Sequence, residues 1–391
     1  MIWESWNSVD WTIVGVLTAL FIVQIYWYSR YLAAPARKLR RDKRKGGRLE
    51  VSGEWPGVTI VICGHNESYN LSQYLRALLT QDYPTYEVIV VDDGSEDNSR
   101  DVIEQYMVRD PRVRMTFVPY GARVGSTKKL ALTLAAKAAQ YDYLLLTDAD
   151  CVPESDQWIR QMMSGFGESK DIVLGFGAYF SEPGHINRLV RFDTLFNGLH
   201  YLGAALCGHP YMGVGRNLAY RKSLFFESGG FSHLMTTRAG DDDLFVNHVA
   251  TKSNTAVVIH PKSITWSPAK KSFKEWWQQK RRHLSVSPAY RWGTKFRLTL
   301  EPLTRGLFYA LVLGIVLYQG IANFQFSIFN FQLQIAVALF VIRWLVQTAI
   351  LNVSARRMGL KRFRMMSVLW FDIVLPLVNL WMLLIPKKYK W

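Results

Sequence analysis

Four stretches of this sequence, residues 11–28, 306–324, 331–353 and 366–385, are too long and too apolar to be ordinary core. Hydrocarbon offers no partner to a backbone N–H or C=O, so about 20 consecutive apolar residues cross a bilayer only as a helix that closes its own hydrogen bonds. The first stretch has Gln24 as its one strongly polar interruption and reads as an uncleaved anchor. A signal peptide is the competing reading, with Ala33-Ala34-Pro35-Ala36 as a faint cleavage site. Against it, the leading segment carries Glu4 and Asp10 and no basic residue.

Charge then sets orientation. Arg37, Lys38, Arg40, Arg41, Lys43, Arg44, Lys45 and Arg48 follow the first stretch, and Arg356, Arg357, Lys361, Arg362 and Arg364 separate the third from the fourth. Basic flanks mark the cytoplasmic side, and the uncharged residues 325–330 suit the far side. Residues 33–305 are therefore expected in the cytoplasm, beneath a bacterial inner or other plasma membrane. Lys387, Lys388 and Lys390 would sit outside if the fourth stretch crosses fully; Asp372 and Pro376 inside it leave a broken or re-entrant segment open. Arg343 and Asp372 are expected to face protein or water rather than lipid. The formal net charge of +16 is explained by these flanks and by anionic membrane lipid, so no nucleic-acid partner is expected. Cys63, Cys151 and Cys207 lie far apart without ligand spacing and read as reduced thiols.

From Trp55 short apolar runs alternate with helix-like segments, which predicts an α/β fold with a mainly parallel sheet covered by helices. Strands are expected at 58–63, 87–91, 113–118 and 172–179, and in the run that starts at Tyr143. Helices are expected at about 70–79, 98–108, 130–139, 156–166, 188–206 and 221–228. Another opens at Ala239-Gly240-Asp241-Asp242-Asp243-Leu244, with Phe245, Val246 and Val249 on its buried side. Residues 273–284 would place Phe273, Trp277 and Leu284 on one face and basic residues opposite, the profile of a helix in a membrane interface; a plain packing helix is the alternative. The chain thus divides into an anchor (1–32), a basic linker (33–54), the α/β domain (55–270), an amphipathic interfacial region (271–305) and two to three C-terminal spans (306–391).

The run Tyr143-Leu144-Leu145-Leu146-Thr147 ends in Asp148-Ala149-Asp150. Open α/β sheets place their ligand crevice at such strand ends, and two carboxylates there suit a hard divalent cation bound to phosphate oxygens; a polar loop is the other reading. The three adjacent carboxylates Asp241, Asp242 and Asp243 repel one another, which raises the pKa of at least one and favours a general base, although acids in a first helical turn also complement the macrodipole. Residues 121–128 lack the Walker order of glycine followed at once by lysine, and neither a Gly-x-Ser-x-Gly nucleophile nor a histidine ligand pattern occurs.

Taken in order, Val-Thr-Ile-Val-Ile-Cys-Gly-His-Asn-Glu at 58–67, Val91-Asp92-Asp93-Gly94-Ser95, Lys128, Asp148-Ala149-Asp150, Gly240-Asp241-Asp242-Asp243-Leu244 and Gln279-Lys280-Arg281-Arg282-His283 resemble the membrane-bound processive and lipid-linked members of the family 2 glycosyltransferases. The resemblance implies a GT-A fold and an inverting, metal-dependent hexosyl- or N-acetylhexosaminyl-transferase. Its donor would be a nucleotide sugar, foremost a UDP-sugar, and its acceptor a lipid-linked or growing glycan at the membrane. It assigns Glu67, Asp92, Asp93, Lys128 and Asp148 to the donor, with Asp92 or Asp93 at the base, Lys128 at the diphosphate and Asp148 at the ribose side. Asp150 would hold Mg²⁺ or Mn²⁺. Asp241, with Asp242 as the alternative, would be the general base, and Gln279, Arg282 and His283 would line the acceptor end. Two departures stand out: Gly240 replaces the acidic residue that usually precedes the base, and His283 replaces a tryptophan. A processive synthase that exports its polymer and an inactive transferase-like scaffold are the competing readings.

Overall fold

The structure, a computed structural model, describes residues 8–46, 54–119, 126–167, 169–235, 237, 239–318 and 331–384. Residues 121–125 of the phosphate-loop-like stretch, the uncharged loop 325–330 and the C-terminal Lys387, Lys388 and Lys390 lie outside them. The chain enters as helix α1 (Ser8–Trp27), passes through one π-helical turn (Tyr28–Leu32) and continues as α2 (Ala34–Arg44).

Strand β1 (Val58–Gly64), helix α3 (Ser68–Leu79), β2 (Tyr86–Asp92), α4 (Ser99–Arg109), β3 (Val113–Phe117), α5 (Thr127–Ala138) and β4 (Tyr143–Asp148) follow. β1 to β4 are parallel neighbours in the main sheet, in which Cys63 lies opposite Val91 on one side and Asp148 on the other. Every residue of β2 is buried, as expected of a strand covered on both faces. Next come β5 (Val152–Pro153), α6 (Trp158–Met163), β6 (Ile172–Leu174), β7 (Gly177–Tyr179), α7 (His185–Leu206), β8 (Leu218–Arg221), α8 (Lys222–Glu227), α9 (Asp243–Val249), β9 (Thr255–Val257) and β10 (Thr265–Ser267). The seven-stranded sheet runs β3-β2-β1-β4-β8-β6-β9, with β8 antiparallel to both neighbours, and a second sheet runs β5-β10-β7.

The single strand expected at 172–179 is two strands in two sheets. Asn217 causes the break. Its carbonyl accepts from Gly175 N at 3.0 Å, and its side-chain amide donates to Phe176 O at 3.0 Å and Ser263 O at 2.7 Å. A Cβ on Gly175 would lie 2.5 Å from that side chain, so glycine permits the close approach. Asn217 thereby pins the second sheet to the first.

Helix α10 (Phe273–Leu284) departs from the free interfacial profile. Its buried residues are Trp276 and Lys280, the latter paired with Asp193 of α7 at 2.5 Å. Phe273 is exposed, and Trp277 packs edge-on against Trp381, ring centroids 5.1 Å apart. A Ser272–Glu275 capping box starts the helix. Helix α11 (Trp292–Leu317) begins upstream of the apolar stretch it carries, and α12 (Phe331–Arg357) and α13 (Met365–Leu384) complete the described chain. α13 is one uninterrupted helix despite Pro376.

Four helices among the described residues are long and apolar enough to cross a membrane: Ser8–Arg44, Trp292–Leu317, Phe331–Arg357 and Met365–Met382. A buried polar network joins them. Asp372 takes Arg305 at 2.8 Å, Arg343 at 2.8 Å and Gln347 at 2.7 Å. Gln24 accepts from Arg343 at 3.1 Å and donates to Thr304 at 2.8 Å. The polar interruptions of the apolar stretches therefore face one another, as ionisable groups in a bundle interior must. α7 couples this bundle to the sheet, for a Cβ on its Gly203 would lie 2.1 Å from the Tyr31 carbonyl oxygen.

Candidate active site

In strand order the chain switches direction between β1 and β4, and the crevice at such a switch point lies beyond the carboxyl ends of the strands. Here those ends carry Gly64 to Glu67, Asp92 and Asp93, and Asp148 to Asp150. Asp92 and Asp93 turn in different directions. Asp92 is 5% exposed and its Oδ1 accepts from Ser95 N at 3.0 Å. It holds a turn through Gly94, whose φ of +71° is a left-handed conformation that favours glycine. Asp93 instead turns its Oδ2 toward Thr127 at 2.7 Å, while its carbonyl meets His65 Nδ1 at 2.8 Å. Asn66, with φ of +58°, locks this side of the crevice by accepting from Glu96 N at 2.8 Å. Glu67 accepts from Asn70 at 2.5 Å; burial and the charge of Asp150 hold its carboxyl above the ordinary range.

Lys128 is the hub of the crevice. Its Nζ lies 3.1 Å from Asp148 Oδ1 and 3.4 Å from Asp241 Oδ2. Those two carboxylates raise its pKa well above that of a free lysine, so it is a fixed positive charge. Burial opposes the charge on Asp148, but Lys128 outweighs it and holds Asp148 below the usual carboxylate range. Asp150 goes the other way, pushed up by burial and by Asp148. Donor atoms of Asp148, Asp150 and Cys151 lie within 4.8 Å of one another. Two carboxylates fit a hard, oxygen-seeking cation such as Mg²⁺ or Mn²⁺. The Cys151 thiol does not join them readily, because burial and both aspartates drive its pKa well up and keep it protonated.

The three acidic residues ahead of α9 point in different directions. Asp242 caps the helix, its Oδ1 accepting from Asp243 N and its Oδ2 from Gly215 N, both at 2.8 Å. Asp243 accepts from Leu244 N at 2.7 Å and from Tyr290 OH at 2.9 Å. Burial, with mutual repulsion, raises the pKa of both. Asp241 alone of the three reaches Lys128, with a side chain 13% exposed. The departure at Gly240 also has a backbone reason. Its φ is +93° and a Cβ there would meet Leu244 at 2.5 Å, so an acidic side chain cannot stand in that position without rebuilding the turn.

At the other end, Gln279 donates to Tyr179 OH at 3.1 Å. Arg282 and His283 are exposed on α10; the charge of Arg282 contributes to lowering the pKa of Asp148. Arg216, which carries no motif signal, stacks 4.3 Å over the Tyr179 ring and donates to Ser267 at 2.9 Å. Its positive charge opposes the rise at Asp150 and adds to the fall at Asp148. The buried Lys129 was missed too: its ammonium donates to Leu234 O at 2.9 Å, Thr237 O at 2.6 Å and Ala239 O at 2.8 Å, gathering the segment that leads into Asp241.

Comparison with known proteins places this geometry. Residues 59–229 match the glycosyl transferase family 2 model. The chain is 24% identical over 234 residues to the probable glycosyltransferase YdaM of Bacillus subtilis, covering 59% of this chain and 54% of that protein. It is 30% identical over 140 residues to the poly-beta-1,6-N-acetyl-D-glucosamine synthase of Staphylococcus epidermidis, covering 36% of this chain and 31% of the synthase. The chain thus matches about half or less of the length of these relatives. Its fold is similar to that of the mannosyltransferase PcManGT from Pyrobaculum calidifontis, solved in complex with GDP-Man and Mn²⁺, with a TM-score of 0.51 over 95% of each chain at 18% identity. The sheet and its covering helices are a GT-A fold.

Proposed function

We propose, from the glycosyl transferase family 2 domain that residues 59–229 carry, that this chain is an inverting, metal-dependent glycosyltransferase. It takes a sugar from a nucleotide donor on the cytosolic side, foremost a UDP-sugar, and gives it to a glycan or lipid-linked acceptor at the membrane. The observation that carries this reading is Lys128, set between Asp148 of the donor side and Asp241 of the acid-rich turn at 3.1 and 3.4 Å. One cation tethers the two halves that a transfer reaction needs.

In this reading Asp93 accepts from the base of the nucleotide, and Asp92 supports it by holding the turn. Asp148 and Lys128 grip the ribose and diphosphate side. Asp150, with Asp148, would hold Mg²⁺ or Mn²⁺, which supplies neutralisation of the charge that develops on the departing diphosphate. Asp241 takes the proton from an acceptor hydroxyl. The hydroxyl oxygen forms its bond to the anomeric carbon as the carbon–oxygen bond to the diphosphate breaks. The nucleoside diphosphate leaves with that electron pair, and a single displacement inverts the anomeric centre. Gln279, Arg282 and His283 face the acceptor end, with Tyr179 held by Gln279.

The test is donor binding by calorimetry on the full chain in detergent, with a panel of nucleotide sugars and a Mn²⁺ titration. Wild type should bind one donor in a Mn²⁺-dependent way, and Asp150→Ala should weaken that dependence at least tenfold. An unchanged metal titration in Asp150→Ala would remove Asp150 from the proposed metal site.

A further inference from the structure

Beside the crevice lies a cavity of about 320 Å³ that the proposed transfer chemistry does not use. Its floor comes from β7 and α7, and its roof is the segment from Gly359 to Phe363 that joins α12 to α13. Both of those helices are long and apolar enough to cross a bilayer, so the roof belongs where a membrane would present its headgroups. Phe176, Leu195, Leu360 and Phe363 make much of the wall apolar. Arg191 and Lys361 are the charged groups in the lining, which contains no acidic residue.

Arg191 is half-buried, and no carboxylate is in ion-pair range of it among the described residues. Its Nη2 donates to the Lys361 carbonyl at 3.2 Å and its guanidinium lies 5.4 Å from the Phe363 ring centroid, which ties it to the roof. The neighbouring charges are also positive: Arg188 on the same helix, and Arg362 on the roof segment. An unneutralised, half-buried guanidinium with more cations around it is a site for an anion, and its planar fork favours phosphate. The far wall touches the reaction centre, because Tyr179 lines the cavity, receives the Gln279 hydrogen bond and lies beneath Arg216.

We infer that this cavity seats the phosphate-bearing head of a membrane lipid, with Arg191 and Lys361 on the phosphate and Phe176, Leu195 and Phe363 along the first part of its apolar chain. The lipid is the acceptor carrier, presenting its glycosyl end past Tyr179 toward Asp241. Its role as carrier rests on the transferase reading; the lipid site itself does not. Free phosphate is the competing ligand of the same chemistry, and the apolar wall favours the lipid.

The experiment uses the full chain in phosphatidylcholine nanodiscs with a dodecyl phosphate that bears a diazirine near its head, against the matching diazirine alcohol. Photolysis and peptide mapping should label the segments around Arg191 and Lys361 with the phosphate probe. Arg191→Gln with Lys361→Gln should cut labelling about tenfold or more, the scale of losing a hydrogen bond to a charged group. Each single substitution should give an intermediate loss, and nucleotide-sugar binding should remain, which reports that the fold is intact. Equal labelling by the alcohol, displacement by millimolar inorganic phosphate, or undiminished labelling in the double variant would each overturn the lipid site. If the phosphate probe labels as expected while wild type binds no nucleotide sugar, the transferase reading falls and the lipid site stands. If donor binds and labelling fails, the cavity proposal falls alone.

Discussion

Asp241 and Asp242 are adjacent aspartates, yet the structure gives them opposite expectations. Changing either to Asn removes the same charge. At Asp241 the lost group is the one that faces Lys128 at 3.4 Å and is the proposed general base. A positioned general base contributes about 10²- to 10⁴-fold, or roughly 2.7–5.5 kcal/mol at about 1.36 kcal/mol per decade. Asp241→Asn should lower kcat by that factor and leave donor affinity within about threefold, because uniform binding is untouched. At Asp242 each oxygen already accepts a backbone N–H at 2.8 Å, which fixes the carboxylate as a helix cap and holds it away from Lys128. Asn caps a helix about as well as Asp, so Asp242→Asn retains the cap and weakens only the Gly215 contact, a cost relieved by removing repulsion from Asp241 and Asp243. Its stability should change by less than about 1 kcal/mol and its kcat by less than about tenfold. Initial rates of nucleoside diphosphate release, with a thermal melt of each variant, measure both. A hundredfold loss in Asp242→Asn alongside near-normal turnover in Asp241→Asn would refute the assignment.

Three other outcomes follow from the same geometry. Because burial and Asp148 raise the Asp150 pKa, protons compete for the proposed metal site at a pH above the ordinary aspartate value near 3.9; Mn²⁺-dependent donor binding should therefore weaken as pH falls through that raised pKa, and a curve flat down to about pH 4 would count against it. Lys129→Met removes the donor to Leu234, Thr237 and Ala239 carbonyls, so kcat should fall at least about tenfold through misplacement of Asp241, with the donor dissociation constant little changed; unaltered kcat would show the segment holds itself. Asp372→Asn leaves Arg343 without an ion-pair partner among the described residues, while Arg305 keeps Glu301 at 3.2 Å; breaking a buried ion pair costs about 3–5 kcal/mol, so the thermal midpoint in detergent should drop sharply, and an unshifted midpoint would mean that the network contributes nothing.

The sheet was legible where strands were long. β1, β2 and β4 are six or seven residues long and each carries an unbroken apolar run at its centre, Ile60–Cys63, Val88–Val91 and Tyr143–Leu146, and the carboxylates that follow stood out for that reason. β5, β7 and β10 are two or three residues long and have no period to detect, so the second sheet stayed hidden. Asn217 splits an apparently single strand through contacts with Phe176 and Ser263 that sequence spacing does not express. The choice between Asp92 and Asp93, or Asp241 and Asp242, is one of direction: composition is identical at each pair, and only backbone partners reveal which side chain is occupied. Gly240 is the instructive departure. The sequence shows only that glycine replaces an acidic residue there; the fold adds that the turn is left-handed and that a Cβ would meet Leu244 at 2.5 Å. The polar residues within the apolar stretches were visible individually, but the pairing of Arg343 with Asp372 joins segments that only the folded bundle brings together.

The most direct test of the account is the product itself. Membranes containing the full chain, supplied with Mn²⁺, a lipid extract and a panel of α-linked nucleotide sugars, should transfer one sugar whose new bond is β by NMR and whose mass adds to a lipid-extractable acceptor. Chelation of the metal and Asp241→Asn should each abolish that product. A product that retains the α configuration, or transfer that persists undiminished after chelation, would contradict the single-displacement, metal-dependent site proposed around Lys128, Asp148, Asp150 and Asp241.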